Sequence, residues 1–154
     1  MGVGPLTLPL SAAEVVPHLG AMVLLRDVVA HGPRHTVCDA VAREGAPLVC
    51  QGRWPVWVSI ELMAQTVAAH SGMIGRRKGG DPEIGFLIGV RRCAFDADGF
   101  AVGTILRVEV TWVWGDDRLF SFEGVVRRRK EEKPLATAQL NLFKPAPQDI
   151  GARS

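Results

Sequence analysis

The chain has 154 residues, 47% of them hydrophobic and 22% charged, with a net charge of +2. That length fits one domain able to bury its own core, and so even a charge balance argues against a nucleic-acid binder or a disordered tail. Aromatic residues make up only 6% with no Tyr, so the core must be aliphatic, and 17 Gly with 10 Pro predict frequent turns rather than a helical bundle.

The opening Met1-Gly2-Val3-Gly4-Pro5 has no basic region before an apolar run, so no secretory signal is expected. Ser11-Ala12-Ala13-Glu14 reads as a capping box for a short helix that Pro17 must end. Residues 22–30 and 34–41 read as two strands of a hairpin around His31-Gly32-Pro33. Residues 44–55 are irregular, broken by Gly45, Pro47, Gly52 and Pro55. Pro55 suits a first helical position, where its missing N–H costs nothing. Residues 56–75 then form the one long helix, apolar on nearly every side and so expected to be enclosed. Ser59, Glu61, Gln65, Thr66 and His70 within it argue against a membrane span.

After the basic loop Arg76-Arg77-Lys78-Gly79-Gly80-Asp81-Pro82 the period changes to two. Residues 84–95 read as a strand. In residues 104–114, Leu106, Val108, Val110, Trp112 and Trp114 share one face. Phe120, Phe122 and Val126 repeat the alternation beyond a Gly115-Asp116-Asp117 turn, and Ala136, Ala138, Leu140 and Leu142 repeat it again. Strict alternation marks antiparallel strands with one buried face. The order predicts an α+β fold, a single antiparallel sheet wrapped around one central helix over residues 1–145, with a flexible tail at 146–154.

Glu61 carries the chemistry. A carboxylate near the start of an apolar helix is costly unless partnered, and Gln65, one turn on, can hydrogen-bond to it. Glu61 therefore reads either as a structural carboxylate or as a general acid or base facing a cavity. His70, about two and a half turns farther along the helix, points away from Glu61 and is expected near the negative helix end. His18 is expected to tie the first turn to the sheet, and His31 and His35 to be solvated. Cys50 is a possible nucleophile, but the sequence sets no base beside it. Cys38, Cys50 and Cys93 form no CxxC pair and read as reduced, mostly buried thiols of a cytoplasmic protein. The run from Arg127 to Lys133 reads as a solvated hairpin tip. No phosphate-cradling loop, metal-ligand spacing or nucleophile elbow is present, so no cofactor or metal is expected.

At Ile60-Glu61-Leu62-Met63-Ala64-Gln65 the sequence resembles the hot-dog-fold dehydratases that act on 3-hydroxyacyl-(acyl carrier protein), whose central helix carries Glu-x-Met-Ala-Gln. Val15-Val16-Pro17-His18 with Val23-Leu24-Leu25 resembles their opening Pro-His turn and first strand. Residues 84–90 and 101–106 resemble two further strands. Gly52-Arg53-Trp54-Pro55-Val56-Trp57 is closer to the dehydratase-like proteins of aryl polyene biosynthesis. The resemblance implies a hot-dog domain in which a histidine removes the C2 proton and the helix carboxylate, here Glu61, protonates the departing 3-hydroxyl. Pro55, Val56, Trp57, Cys50 and Gly52 are then expected to border substrate, with backbone N–H groups at the helix start polarising the thioester carbonyl.

The position where the family carries its histidine is Pro47. Three activities stay open: a dehydratase in fatty-acyl or aryl polyene synthesis, a thioesterase using Glu61 to activate water, and a weak subunit partnering an active dehydratase. The resemblance also implies a homodimer or higher oligomer, including a hetero-oligomer with another dehydratase, in which the 47–53 loop of one chain faces Glu61 of the other. Its second partner is acyl carrier protein, with Arg76, Arg77, Lys78, Arg91 and Arg92 as the docking cations.

Overall fold

Alternation and helical spacing resolve as one sheet around one helix in a computed structural model that describes residues 7–80 and 85–146. The strands are β1 (Leu10–Ser11), β2 (Leu25–His31), β3 (His35–Val41), β4 (Arg53–Pro55), β5 (Phe86–Phe95), β6 (Gly99–Ala101), β7 (Ile105–Gly115), β8 (Leu119–Arg128) and β9 (Ala136–Phe143). The helix α1 spans Val58–Arg77. Seven strands form an antiparallel sheet in the order β1-β2-β3-β7-β8-β9-β5, and β4 pairs with β6 beside it.

The alternating residues behave as their period requires. Leu106, Val108 and Val110 of β7 and Ala136, Ala138, Leu140 and Leu142 of β9 are buried against Leu62, Met63, Val67 and Met73 of α1 in one core. Each Leu, Val or Met among them contributes about 1.5–3 kcal/mol on burial. Two glycines let the layers close. A Cβ on Gly72 would lie 1.8 Å from the Val15 carbonyl oxygen, and one on Gly124 would lie 2.6 Å from Met63 Sδ. Strands β2, β3 and β7 are also clamped by Asp39, which accepts from Arg26 Nη2 at 3.2 Å and from Arg107 Nε at 2.8 Å. This is the α+β hot-dog arrangement that the sequence resemblance implies.

Several local expectations are corrected. Pro55 is not a helical residue. It ends β4 opposite Gly99, and the Val56 N–H donates to the Asp98 carbonyl, so the helix begins only at Val58. Ser11 makes no side-chain cap; residues 12–14 form a single 3-10 turn, and the Glu14 carboxylate accepts from Arg76 Nη2 at 3.4 Å instead. Of the thiols only Cys38 is buried, while Cys50 and Cys93 are exposed. Trp112 and Trp114 do not continue one buried face, because a bulge between them shifts the register and leaves Trp114 exposed.

The helix is not enclosed on all sides, since Ile60, Glu61, Ala64, Ala68 and Ser71 are only partly covered. Strand β5 is more open still. Phe86, Leu87, Ile88 and Val90 are exposed along the edge of the sheet, followed by a bulge between Arg91 and Ala94 in which Arg92 has φ 53°. Ile84 and the tail from 147 on lie outside the described residues. Among the described residues no helix is long and apolar enough to cross a membrane.

Candidate active site

Glu61 lies in the first turn of α1, where the helix dipole favours a negative charge. Its Oε1 accepts from Gln65 Nε2 at 2.9 Å. Gln65 is fully buried and completely used: its Nε2 also donates to the Met22 carbonyl at 2.8 Å, and its Oε1 accepts from the Leu24 N–H at 3.0 Å. The amide therefore fixes the helix to the chain entering β2 and points the carboxylate in one direction. The expected pairing of Glu61 and Gln65 on one helix face is present.

The histidine beside Glu61 is His18, not a residue of the 44–55 loop. Its Nε2 stands 3.8 Å from Glu61 Oε1, and its Nδ1 is buried without a partner among the described residues. Both side chains stay reachable, 30% exposed for His18 and 39% for Glu61. They border a cavity of about 200 Å³ whose other walls include Ala64 and Ala68 of α1, Phe86 of β5 and Phe120 of β8. Residue 47, where the family's histidine would stand, is a proline whose carbonyl accepts from Trp54 Nε1 at 3.0 Å. In the sequence, the signal for His18 is its place in the Pro17-His18 turn, which by itself implies only a structural tie.

The remaining candidates fall elsewhere. Cys50 and Gly52 form a tight hairpin turn, with Gln51 at φ 54° and Gly52 at φ 76°, and the Cys50 thiol is exposed. Pro55, Val56, Trp57, Cys50 and Gly52 do not line the Glu61 cavity of the single chain. The Val56 N–H, spent on Asp98, is not open to a thioester carbonyl. Arg76, Arg77 and Lys78 finish the helix, whereas Arg91 and Arg92 sit in the β5 bulge, so the fold divides the basic residues into two groups.

His70 is buried, 4% exposed, and lies two turns before the end of α1 rather than at the helix end. Its Nδ1 lies 2.8 Å from Thr36 Oγ1, which is also 2.8 Å from His31 Nδ1. Burial pushes the His70 pKa down to about 4, helped by the neighbouring His31, and lowers that of His31 too. The expectation of a solvated His31 is therefore replaced by a packed pair. Among the described residues no three His, Cys, Asp or Glu side chains are grouped to hold a metal ion.

Residues 10–152 match the ApeP-like family, described as ApeP dehydratase. The chain belongs to this family. A chain of the dehydratase heterocomplex ApeI:P from Xenorhabdus doucetiae is 27% identical and superposes with a TM-score of 0.84, covering 92% of this chain and 95% of that one. A hypothetical thioesterase from Streptococcus pneumoniae, solved with coenzyme A, is 10% identical with a TM-score of 0.59, covering 77% and 84%. Zebra fish thioesterase superfamily member 2 is 12% identical with a TM-score of 0.59, covering 87% and 91%. These two share the fold alone. No curated protein matches the chain. The family bears out the resemblance to dehydratase-like hot-dog proteins of aryl polyene biosynthesis.

Proposed function

We propose that this ApeP-like chain dehydrates 3-hydroxyacyl thioesters of acyl carrier protein in aryl polyene biosynthesis, with His18 and Glu61 as its catalytic pair. The observation that carries this is the 3.8 Å approach of the two side chains at the mouth of a cavity. Neutral His18 takes the C2 proton, the electron pair forms the C2–C3 double bond, and protonated Glu61 gives its proton to the 3-hydroxyl, which leaves as water. The imidazolium and carboxylate left behind stand 3.8 Å apart, and a small closing movement to hydrogen-bond distance returns the proton and resets the pair. Gln65 holds the carboxylate in position throughout.

The exposed edge of β5 supports assembly with a second hot-dog chain. A long apolar edge offers unpaired N–H and C=O groups and is a liability when left bare. The ApeI:P heterocomplex of the relative favours another dehydratase as the occupant of this edge, in place of a second copy. The loop of that chain corresponding to residues 47–53 here would then face Glu61. Arg76, Arg77, Lys78, Arg91 and Arg92 supply positive charge for an acidic carrier protein. The unbridged thiols suit a reducing cytoplasm.

The test is to follow water loss and thiol release from 3-hydroxyacyl thioesters on carrier protein, with the pure chain and with an added hot-dog dehydratase. Dehydration that falls about 10²–10⁴-fold in Glu61→Gln and in His18→Gln supports the reading. Thiol release without dehydration replaces it by a thioesterase. Full activity in His18→Gln refutes the pair.

A further inference from the structure

The 43–47 loop and the chain entering β2 face each other across a cavity that shares no lining residue with the one beside Glu61. Its volume is about 440 Å³, within the range of small-molecule sites. Val23, Leu25, Val41, Pro47 and Trp54 give it apolar walls. The charged residues of its lining are Arg26, Arg43 and Glu44, so the lining carries a net charge of +1. Both walls are held before anything binds. Trp54 is buried, and its Nε1 donates to the Pro47 carbonyl at 3.0 Å, which fixes the loop. Leu24 fixes the facing wall, because its N–H donates to Gln65 Oε1 at 3.0 Å. Gln65 Nε2 in turn donates to Glu61, so one amide joins this wall to the carboxylate of the other cavity.

The cations of this cavity have donors to spare. Among the described residues the Arg26 side chain donates only through Nη2, to Asp39, and Asp39 divides its charge between Arg26 and Arg107. Arg26 Nε is buried with no hydrogen bond, 3.7 Å from Asp27 Oδ2. Arg43 is exposed, and among the described residues its side chain makes no hydrogen bond or ion pair. Two guanidinium groups beside apolar walls suit one carboxylate, which accepts the charge-assisted bonds they leave unmade. A neutral ligand would take water from the cations and give them no acceptor. A dianion would bring its second charge toward Glu44 and Asp27.

We propose that this cavity is a binding site for a free carboxylic acid in its ionised form, with its apolar body along Val23, Val41 and Trp54 and its carboxylate at Arg26 and Arg43. The ligand class is the free acid and not a thioester, which has no charge at that end. Occupancy is felt at Glu61. A ligand packed against Leu24 holds the wall whose N–H is bonded to Gln65, and Gln65 aims the carboxylate. The site therefore regulates how firmly Glu61 is held, and it stands apart from the dehydratase reading.

Octanoate, octanol and octyl phosphate, titrated calorimetrically into the full chain, test the head group. Octanoate is expected to bind about tenfold more tightly than octanol, and more tightly than octyl phosphate. Arg43→Ala should weaken octanoate about tenfold, and Ala46→Trp, which fills the cavity, should abolish binding. Arg43 is exposed and holds nothing in the fold, so its variant decides alone if Ala46→Trp does not fold. Ala68→Leu, which narrows the Glu61 cavity instead, should leave octanoate affinity unchanged. Amide exchange of Leu24, followed by nuclear magnetic resonance, reads the link to Gln65 and should slow about tenfold or more with octanoate at saturation. Equal affinity for octanoate and octanol, tighter binding of octyl phosphate, affinity unchanged in Arg43→Ala or lost in Ala68→Leu, or Leu24 exchange indifferent to octanoate overturns the proposal. None of these readouts needs turnover, so their failure leaves the His18–Glu61 pair standing, and a chain that binds octanoate without dehydrating refutes only that pair.

Discussion

Gln65→Leu is the most informative single perturbation, because one side chain joins the fold to the site. Leucine nearly conserves the volume, so packing changes little, but three hydrogen bonds of 2.8–3.0 Å vanish. The Leu24 N–H is left unpaired in a buried position, which costs about 1–3 kcal/mol. The Met22 carbonyl and the Glu61 carboxylate can reach water, so each of those bonds is worth only about 0.5–1.5 kcal/mol. The expected loss is therefore about 2–6 kcal/mol, a large part of the roughly 5–15 kcal/mol a domain has. Urea unfolding followed by circular dichroism measures it. Pairing the substitution with Glu61→Ala in a double-mutant cycle should give a coupling of about 1 kcal/mol, since one of the three bonds joins the two residues. An unfolding midpoint unchanged in Gln65→Leu, or additive behaviour in the cycle, would refute the bracketing role.

Other outcomes follow from the same packing. His70 has a folded pKa of about 4 against 6.5 when unfolded, so the unfolded chain takes up the proton first. Its contribution is complete above pH 6.5 and is lost as the pH falls toward 4, about 2 kcal/mol by pH 5; thermal melts should show this slope, and His70→Gln should flatten it. Ile88→Lys, at a side chain 58% exposed on the β5 edge, should leave the melting temperature nearly unchanged and shift any oligomer toward monomer in light scattering. Gly72→Ala forces a methyl into the Val15 carbonyl, and a loss of more than about 2 kcal/mol is expected in the same unfolding assay.

The strands were legible because their period of two survives in the sequence: Leu106, Val108 and Val110 announce a buried face whatever they pack against. The long helix was legible because no other stretch is apolar through five turns. The pairing of Glu61 with Gln65 was legible too, being local, one turn apart on a helix. The site's histidine was not. His18 and Glu61 are separated by a hairpin and a loop, and only the closed fold decides that they meet. The His31–Thr36–His70 cluster was hidden in the same way, since His31 and Thr36 flank a turn that looks solvated until α1 is laid across it. Pro55 misled because a proline before a helix suits a first turn and an edge strand equally well, and a long-range bond from Val56 to Asp98 settles between them.

The β5 edge has a consequence for how this chain is tuned. Its register shifts between Leu87 and Gly89 and between Arg91 and Ala94 break the edge into short straight stretches, so an incoming strand has few offsets available. Phe86 and Leu87 belong at once to the edge and to the wall of the Glu61 cavity. A chain docked there, as proposed above, would also finish the shape of the chamber. Changing the companion would alter which molecules fit, with no change in this gene product itself, so selectivity would then be a property of a pair of chains.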